Sequence, residues 1–360
     1  MTLIQVSHDD LVALRQRLRQ TRWPVRWDAA GWQAGTDADE MRRLVDYWAT
    51  GYDWRAQEAA INALPSHFAE IAGARLHYLR FAGERPGGLP LLLVNGWPSS
   101  FLELTGLATR LAAAGHTVIV PSLPGFGFSE QQPTLLTSPP VHEVLHQLMH
   151  DVLGFERYGA HGGDLGAGIT SRLAEAHPAA VAGLHLMATA DPIAYDPAGV
   201  TDEERAYLDQ VEQWVRDEGG YEHEQQTRPI TLSYGLADSP AGLLAWILEK
   251  YRVWTDPGSR FDDDFILTQA SLYWFTNTIS TSFRPYYEHG RSLARPVRRV
   301  EVPTAVALFP HDLVHPPRSW VERVYHVTRY TRMARGGHFA AYEETALLAD
   351  DLTAFFDELR

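Results

Sequence analysis

The chain has 360 residues, of which 45% are hydrophobic and 11% aromatic, and its formal charge is −14. This composition is typical of a globular protein with a large core, and the negative charge disfavours nucleic acid, whose phosphates require clustered Lys and Arg. The absence of cysteine excludes disulfides, thiol nucleophiles and cysteine-ligated zinc. No stretch approaches ~18 uninterrupted apolar residues, and the first residues do not resemble a signal peptide, so we expect a cytoplasmic protein without a membrane span.

The first part of the chain, residues 1–68, is predicted to be an N-terminal arm. Leu11, Leu14 and Leu18 form an apolar stripe at helical spacing, and residues 39–50 are again helical in pattern. The segment is short and rich in Trp, so we expect its helices to pack on the rest of the protein and not to fold alone.

Residues 69–190 alternate between buried strands and amphipathic helices. After a strand pair at 67–71 and 75–81, apolar runs predict strands at 90–94, 117–120, 157–161 and 184–189, and helices at 101–114, 141–153 and 167–177. Continuous apolar runs are typical of parallel strands that are buried on both faces. The alternation predicts an α/β fold with a mostly parallel, doubly wound sheet.

The alternation stops at about residue 191 and resumes at about 298. Residues 191–297 contain helical patterns at 203–217 and 239–251, many aromatic side chains and few strand signals. Strands are then predicted at 304–309 and 329–333 with a helix at 318–327 between them, and a last helix at 339–359. We therefore predict a helical lid (191–297) inserted before the last two strands, and a second part of the core at 298–360.

The stretch Gly162-Gly163-Asp164-Leu165-Gly166 lies where a predicted strand meets a predicted helix. Small residues around one central side chain at such a junction form a nucleophile elbow, the turn that exposes the nucleophile of α/β-hydrolases. Glycines permit the strained backbone that this turn needs. The simpler explanation is that Asp164 only caps the helix that follows.

Two further ionisable residues follow predicted strands: Asp312 comes after 304–309 and His338 after 329–333. Ligands bind open α/β sheets beyond the carboxyl ends of the strands. The order nucleophile, acid, histidine is that of the α/β-hydrolase triad, with Asp in place of Ser. We therefore predict that Asp164, Asp312 and His338 form a catalytic triad.

A carboxylate nucleophile indicates displacement at saturated carbon, in an epoxide or a carbon–halogen bond. Attack by Asp164 would leave an alkyl ester, which water can hydrolyse at the Asp carbonyl. His338 would activate that water, and Asp312 would orient the imidazole. The oxyanion on Asp164 needs hydrogen-bond donors, and the backbone N–H groups of Trp97 and Leu165 are the candidates.

These motifs resemble the microsomal type of epoxide hydrolase over nearly the whole chain. The segments that carry the resemblance are Tyr52-Asp53-Trp54-Arg55, Gly96-Trp97-Pro98, Pro124-Gly125-Phe126-Gly127-Phe128-Ser129, Gly162-Gly163-Asp164, Asp238-Ser239-Pro240, Glu249-Lys250 and Gly336-Gly337-His338-Phe339-Ala340-Ala341. The resemblance implies an N-terminal meander on an α/β-hydrolase core, in a soluble form without the membrane anchor, often dimeric. It implies an apolar epoxide and water as the reactants, and neither cofactor nor metal.

The resemblance also implies two lid tyrosines that donate hydrogen bonds to the epoxide oxygen. The matching residues are Tyr221 and Tyr286, with Tyr287 as the alternative to the latter. A phenol suits this role because it is a donor that stays un-ionised at pH 7. Packing within an aromatic-rich lid is the competing explanation for both.

The sequence departs from the family at two positions. Asn95 replaces the usual His before Gly96, which affects the orientation of that loop. Leu165 stands where Trp is frequent, and haloalkane dehalogenases of this fold use that Trp to hold the halide, so Leu165 disfavours a dehalogenase. A non-catalytic ligand-binding protein of this fold is the other alternative. We expect His161 to pack in the elbow, and His311 and His315 to lie in a solvated loop.

Overall fold

The computed structural model describes residues 3–27, 31–132, 138–293 and 295–360. The other positions of the predicted arm (1, 2 and 28–30) and of the predicted lid (294) lie outside this part of the chain. The described residues contain a central sheet whose strands, β1 to β8, are Ser66–Ile71, Ala74–Phe81, Leu91–Val94, Val118–Pro121, Tyr158–Gly162, Val181–Leu186, Val300–Leu308 and Tyr325–Arg332.

The order of the strands across the sheet is β1-β2-β4-β3-β5-β6-β7-β8. The pairs β1–β2 and β2–β4 are antiparallel and all the following pairs are parallel. The inner strands β3 to β6 are buried at every residue, as their uninterrupted apolar runs predict. The predicted α/β-hydrolase fold is confirmed.

The helices that flank the core are shorter than the sequence pattern predicts. The stretch predicted as one helix at 101–114 is a 3₁₀ turn, Phe101–Leu104, followed by α4 (Thr105–Ala113). The stretch at 141–153 is α5 (Val141–His146) continued by a π-helical segment, Gln147–Val152. The elbow helix, α6 (Leu165–Ala176), agrees with its prediction.

Three helices precede the sheet: α1 (His8–Arg19), α2 (Ala38–Thr50) and α3 (Trp54–Asn62). They pack on the inserted helices. Arg43 of α2 forms an ion pair of 2.6 Å with Asp263, and the indole N–H of Trp48 donates to Ser271 at 3.0 Å. The arm therefore covers the lid, and its boundary at residue 68 stays a prediction.

Between β6 and β7 the described chain is helical, as predicted for a lid. Helices α7 to α13 are Asp202–Glu218, Gly220–Thr227, Pro229–Asp238, Pro240–Val253, Asp263–Thr276, Ile279–Ser282 and Arg284–Gly290. The first begins with a capping box between Thr201 and Glu204.

The C-terminal elements differ from their prediction. The helix expected at 318–327 is a single turn, α14 (Arg318–Val321), and the last strand starts at Tyr325, not at residue 329. The buried β-branched and aromatic residues Tyr325 and Val327 pair with β7, and this pairing outweighs the helical spacing. The final helix is divided into α15 (Ala340–Glu343) and α16 (Thr345–Asp357).

Among the described residues, no helix has the length and apolarity that crossing a bilayer requires.

Candidate active site

The backbone at Asp164 has the strained conformation of a nucleophile elbow. Its φ is 50° and its ψ is −128°, between the end of β5 and the start of α6. The helix can follow so sharply because Gly166 lies against β3, where a Cβ atom would come within 2.1 Å of the Val94 carbonyl oxygen. Strain of this kind persists where the surrounding structure enforces it, and it is concentrated at functional sites.

The Asp164 carboxylate points at the loop after β3 and not at its own helix. Its Oδ1 accepts a hydrogen bond of 2.9 Å from the Trp97 backbone N–H, and within the described residues it makes no capping bond to α6. The helix-cap explanation is therefore wrong. Gly96 leaves room for the carboxylate, since a Cβ atom there would lie 2.3 Å from Asp164 Oδ1.

The other predicted oxyanion donor is the N–H of Leu165. It belongs to the first residue of α6, whose N–H groups have no partner inside the helix. Elsewhere in the described chain no acceptor is bonded to it, so it is free to bind an oxyanion.

His338 lies between the two acids. Its Nε2 is 3.6 Å from Asp164 Oδ2, and its Nδ1 is 2.7 Å from Asp312 Oδ1, which also accepts the Leu313 N–H. Burial lowers the pKa of the imidazole, but the Asp312 and Asp164 carboxylates outweigh burial and raise this pKa well above its ordinary value. The structure thus brings the three predicted triad residues together.

The loop that carries His338 is attached to the end of α10. The His338 N–H donates to the Trp254 carbonyl at 2.9 Å, and Glu343 accepts the N–H groups of Asp256 (2.8 Å) and Phe339 (3.0 Å). Burial raises the pKa of Glu343 to about 7. Sequence reasoning missed Glu343, since nothing in the sequence distinguishes this carboxylate from those on the surface.

The two predicted lid tyrosines are buried and face each other. The rings of Tyr221 (α8) and Tyr286 (α13) are 6.0 Å apart and nearly perpendicular. Both contact the indole of Trp97, Tyr221 by parallel stacking at 5.4 Å and Tyr286 edge-on at 6.0 Å. The residue that binds the nucleophile through its N–H therefore also orients both phenols.

The electrostatics of this pocket keep both phenols protonated. Burial, together with the charge of Asp164, raises the pKa values of Tyr221 and Tyr286 well above their ordinary value. The buried hydroxyl of Tyr286 faces the hydroxyl of Tyr221, and among the described residues it makes no hydrogen bond of good geometry. A ligand oxygen between the two phenols can accept from both.

A small cavity of about 20 Å³, with room for about one water molecule, adjoins the triad. Asp164, His338, Asn95, Glu103 and His161 are among its lining residues, and neither lid tyrosine is. Burial raises the pKa of Glu103 to about 7. Asp164 therefore borders a cavity that the phenols do not line, whose wall combines these polar side chains with apolar ones such as Leu104, Met187 and Phe339. Sequence reasoning missed Glu103.

Comparisons with known proteins agree with this geometry. Residues 2–104 match the family model described as epoxide hydrolase N terminus, and residues 90–229 match the alpha/beta hydrolase fold. A putative epoxide hydrolase of Stigmatella aurantiaca is 38% identical over 99% of this chain and 84% of its own length. Epoxide hydrolase 1 of Sus scrofa is 33% identical over 98% of this chain and 87% of its own.

The chain belongs to the epoxide hydrolase family.

Solved epoxide hydrolases have the same fold over their whole length. The Aspergillus niger enzyme superposes with a TM-score of 0.88 at 30% identity, covering 99% of this chain and 95% of that one. The juvenile hormone epoxide hydrolase of Bombyx mori gives 0.89 at 30% identity, covering 99% and 93%. The resemblance inferred from the motifs is confirmed.

The structure separates Tyr287, His311 and His315 from the roles that the motifs left open for them. Tyr287 lies beside Arg291, away from Tyr221, so Tyr286 is the residue that faces the other phenol. His311 lies 3.6 Å from Asp256, and His315 is bonded to the Phe309 carbonyl. Neither histidine is bonded to Asp312.

Asn95, the departure from the family pattern, donates to the Gly96 carbonyl at 2.9 Å. This bond braces the loop that carries Trp97. The described residues hold no cluster of acids and histidines suited to a metal ion.

The lid aromatics divide into two groups. Trp254 packs against Trp97, Tyr221 and His338, and Trp214 contacts Tyr221 edge-on. Phe275 packs on Trp54 of the arm, and Trp274 lies under Arg17. Only the first group borders the site.

Proposed function

We propose that this protein hydrolyses epoxides to vicinal diols through a covalent ester on Asp164. The observation that carries the proposal is the position of the Asp164 carboxylate. On one side lie the two un-ionised phenols of the lid, and on the other lies the His338–Asp312 pair of the core. An epoxide that lies between Asp164 and the phenols would have its carbon at the nucleophile and its oxygen at two donors. This arrangement suits ring opening with little rearrangement of the protein.

In the first step Asp164 Oδ2 attacks an oxirane carbon. Oδ1 is held by the Trp97 N–H and becomes the carbonyl oxygen of the ester. The C–O bond of the ring breaks, and its electrons go to the oxygen, which takes a proton from Tyr221 or Tyr286. A phenol with a raised pKa gives up this proton only to a strong base, and the opening alkoxide is one.

In the second step water hydrolyses the ester. His338 removes a proton as the water oxygen bonds to Cγ of Asp164, and the N–H groups of Trp97 and Leu165 stabilise the oxyanion. The bond from Cγ to the alkyl oxygen then breaks, and that oxygen takes the proton from His338. The remaining proton of the water restores the phenol, so the reaction consumes one water and leaves the protein unchanged.

The raised pKa of His338 fits this sequence of steps. Before the first step two carboxylates support its positive charge. Ester formation removes the charge of Asp164, which lowers the pKa of His338. The imidazolium can then release its proton to solvent, so that the neutral imidazole acts as the base when water must be activated, and it takes a proton back from solvent when Asp164 regains its charge.

The aromatic surroundings favour an apolar, bulky epoxide. Trp97, Trp254 and Trp214 lie around Tyr221, and the Lys250 ammonium lies over its ring, 4.5 Å from the centroid. The dehalogenase alternative has less support, since the side chain of Leu165 offers no N–H to a halide and a halide needs no proton from a phenol. A cytoplasmic location and a homodimer stay predictions.

A single-turnover experiment with styrene oxide tests the proposal. In water enriched in heavy oxygen, one label should enter the Asp164 carboxylate after one cycle, as read by peptide mass spectrometry. Asp164→Asn should abolish turnover, and His338→Gln should accumulate an alkyl-enzyme. His311→Gln is the control, since His311 lies outside the triad, and it should behave like the wild type.

A diol formed without label in Asp164, or a His338→Gln variant that turns over without any adduct, would contradict the two-step mechanism. Lack of activity on every epoxide of a panel of aryl, alicyclic and fatty types would favour a non-catalytic binding protein.

A further inference from the structure

The cavity beside the triad is bordered by a buried histidine that the reaction outlined above does not use. His161 lies on β5, three residues before the nucleophile, and its side chain lines the cavity together with Asp164 and His338. It is 1% exposed. Its Nδ1 is 3.0 Å from Nδ1 of His185 on β6, and no described residue is bonded to its Nε2. A buried nitrogen without a protein partner requires another occupant.

His161 is the first member of a hydrogen-bonded chain through the core. His185 Nε2 is 3.0 Å from Asp351 Oδ2, and the other oxygen of Asp351 accepts Arg329 (2.8 Å) and Thr331 (2.9 Å). Burial by itself raises the pKa of Asp351, but the hydrogen bonds from His185, Arg329 and Thr331 outweigh it and lower this pKa to about 2. Asp351 is therefore an ionised carboxylate, which can only accept hydrogen bonds.

The hydrogen bonds from His161 through His185 to Asp351 determine which nitrogen of each imidazole carries a hydrogen. Asp351 accepts, so His185 must donate from Nε2. The bond to Asp351 uses only the hydrogen on Nε2, so Nδ1 of His185 is left to accept in this arrangement. The contact of 3.0 Å between the two Nδ1 atoms then requires His161 to donate from Nδ1. His161 Nε2 is left as an acceptor facing the cavity.

We propose that His161 positions the water that hydrolyses the ester on Asp164, by accepting a hydrogen bond from it at Nε2. The inference rests on the proposed function. One O–H of the water points to His338 Nε2, the base, and the other to His161 Nε2. His161 takes no proton; it holds the second O–H so that a lone pair of the water faces Cγ of Asp164.

The cavity is suited to a water molecule. Besides His161 it contains Asn95, whose Oδ1 is buried and has no partner among the described residues. Ordered water occupies buried sites that offer two to four polar partners. Neither phenol lines the cavity, so the water can be in place while the substrate alcohol still occupies the phenol side.

The test compares His161→Gln with His161→Met. The two side chains are nearly equal in length and shape, but only Gln has a strong acceptor near the position of Nε2. Rapid-quench mass spectrometry with styrene oxide measures the formation and the decay of the alkyl-enzyme separately. We expect Gln to keep ester decay within about 3-fold of the wild type and Met to slow it by about 10-fold to 100-fold, with ester formation unchanged in both.

His116→Gln is the matched control. His116 is also fully buried, but its Nδ1 is bonded to the Leu89 carbonyl, away from the cavity. Its ester decay should equal that of the wild type. Equal decay in the Met and Gln variants would overturn the proposal, as would slowing of formation and decay together. Absence of any ester in the wild type would instead contradict the proposed function.

A second measurement reads the wild type directly and uses a cavity variant only to assign a signal. Heteronuclear NMR of nitrogen-labelled histidines in the wild type reports the hydrogen on each ring nitrogen, and His161→Gln assigns the signal. The proposal requires hydrogen on Nδ1 of His161 and on Nε2 of His185. Hydrogen on Nε2 of His161 would overturn it.

Discussion

The indole of Trp97 and the ring of Tyr221 lie parallel, with an interplanar angle of 8° and their centroids 5.4 Å apart. Trp97 also donates its N–H to Asp164. One residue therefore fixes the position of a lid phenol relative to the nucleophile, although the lid and the core are separate segments of the chain.

Trp97→Ala should destabilise the protein and slow ester formation. Removing a fully buried Trp typically costs about 3–5 kcal/mol of unfolding free energy, and the loss of stacking frees Tyr221 from its position. Trp97→Phe keeps both the N–H and an aromatic face, so it should retain most of the alkylation rate. Denaturant unfolding and single-turnover kinetics measure the two effects. Similar alkylation rates in the two variants would show that the stacking has no role in orienting the phenol.

Tyr221→Phe and Tyr286→Phe should each slow ester formation, by roughly 100-fold for the loss of a proton donor. The hydrolysis of the ester should change little, because its base is His338. Tyr287→Phe is the matched control, since Tyr287 follows Tyr286 directly but packs beside Arg291. Stopped-flow measurement of the first step decides the question. A large loss with Tyr287→Phe and none with Tyr286→Phe would reverse the assignment.

Asp312→Asn should slow ester hydrolysis far more than ester formation. The amide keeps a group near His338 Nδ1 but removes the charge that stabilises the imidazolium, and the comparable change in a serine protease triad costs about 10⁴-fold. The alkyl-enzyme should accumulate, and mass spectrometry of the intact protein detects it. If ester formation falls as much as hydrolysis, Asp312 acts on the structure of the site and not on the base.

Glu103→Gln should make the protein more stable at pH 8 and leave its stability unchanged at pH 4. Burial raises the pKa of Glu103 to about 7, so the folded state binds a proton more tightly than the unfolded state. The associated stability is complete below the unfolded pKa of about 4.3 and is lost as pH rises through about 7. A neutral Gln avoids this loss, which reaches about 4 kcal/mol at most.

Urea unfolding of the wild type and Glu103→Gln across this range measures the difference. Glu84→Gln serves as control, because Glu84 is exposed and should show no such pH dependence. A constant difference between wild type and Glu103→Gln at all pH values would show that the pKa of Glu103 is the same in the folded and unfolded states.

The core of the fold was predictable because its signals are local. The uninterrupted apolar runs of β3 to β6 indicate strands buried on both faces, and the glycines around Asp164 indicate the elbow. The start of the last strand was not predictable, since the helical spacing of α14 (Arg318–Val321) continues to residue 327. Pairing of Tyr325 and Val327 with β7 decided for a strand, and that pairing joins residues about 25 positions apart.

By itself the sequence determined the fold class and predicted the nucleophile and the order of the triad, because a strand end and a glycine turn are properties of neighbouring residues. Only the tertiary structure decided that Tyr286 and not Tyr287 faces Tyr221, that Glu103 and Glu343 are buried, and that His161, His185 and Asp351 form one chain. These relationships join residues far apart in the chain. They depend on which side chains packing excludes from water, and no local pattern in the sequence records that.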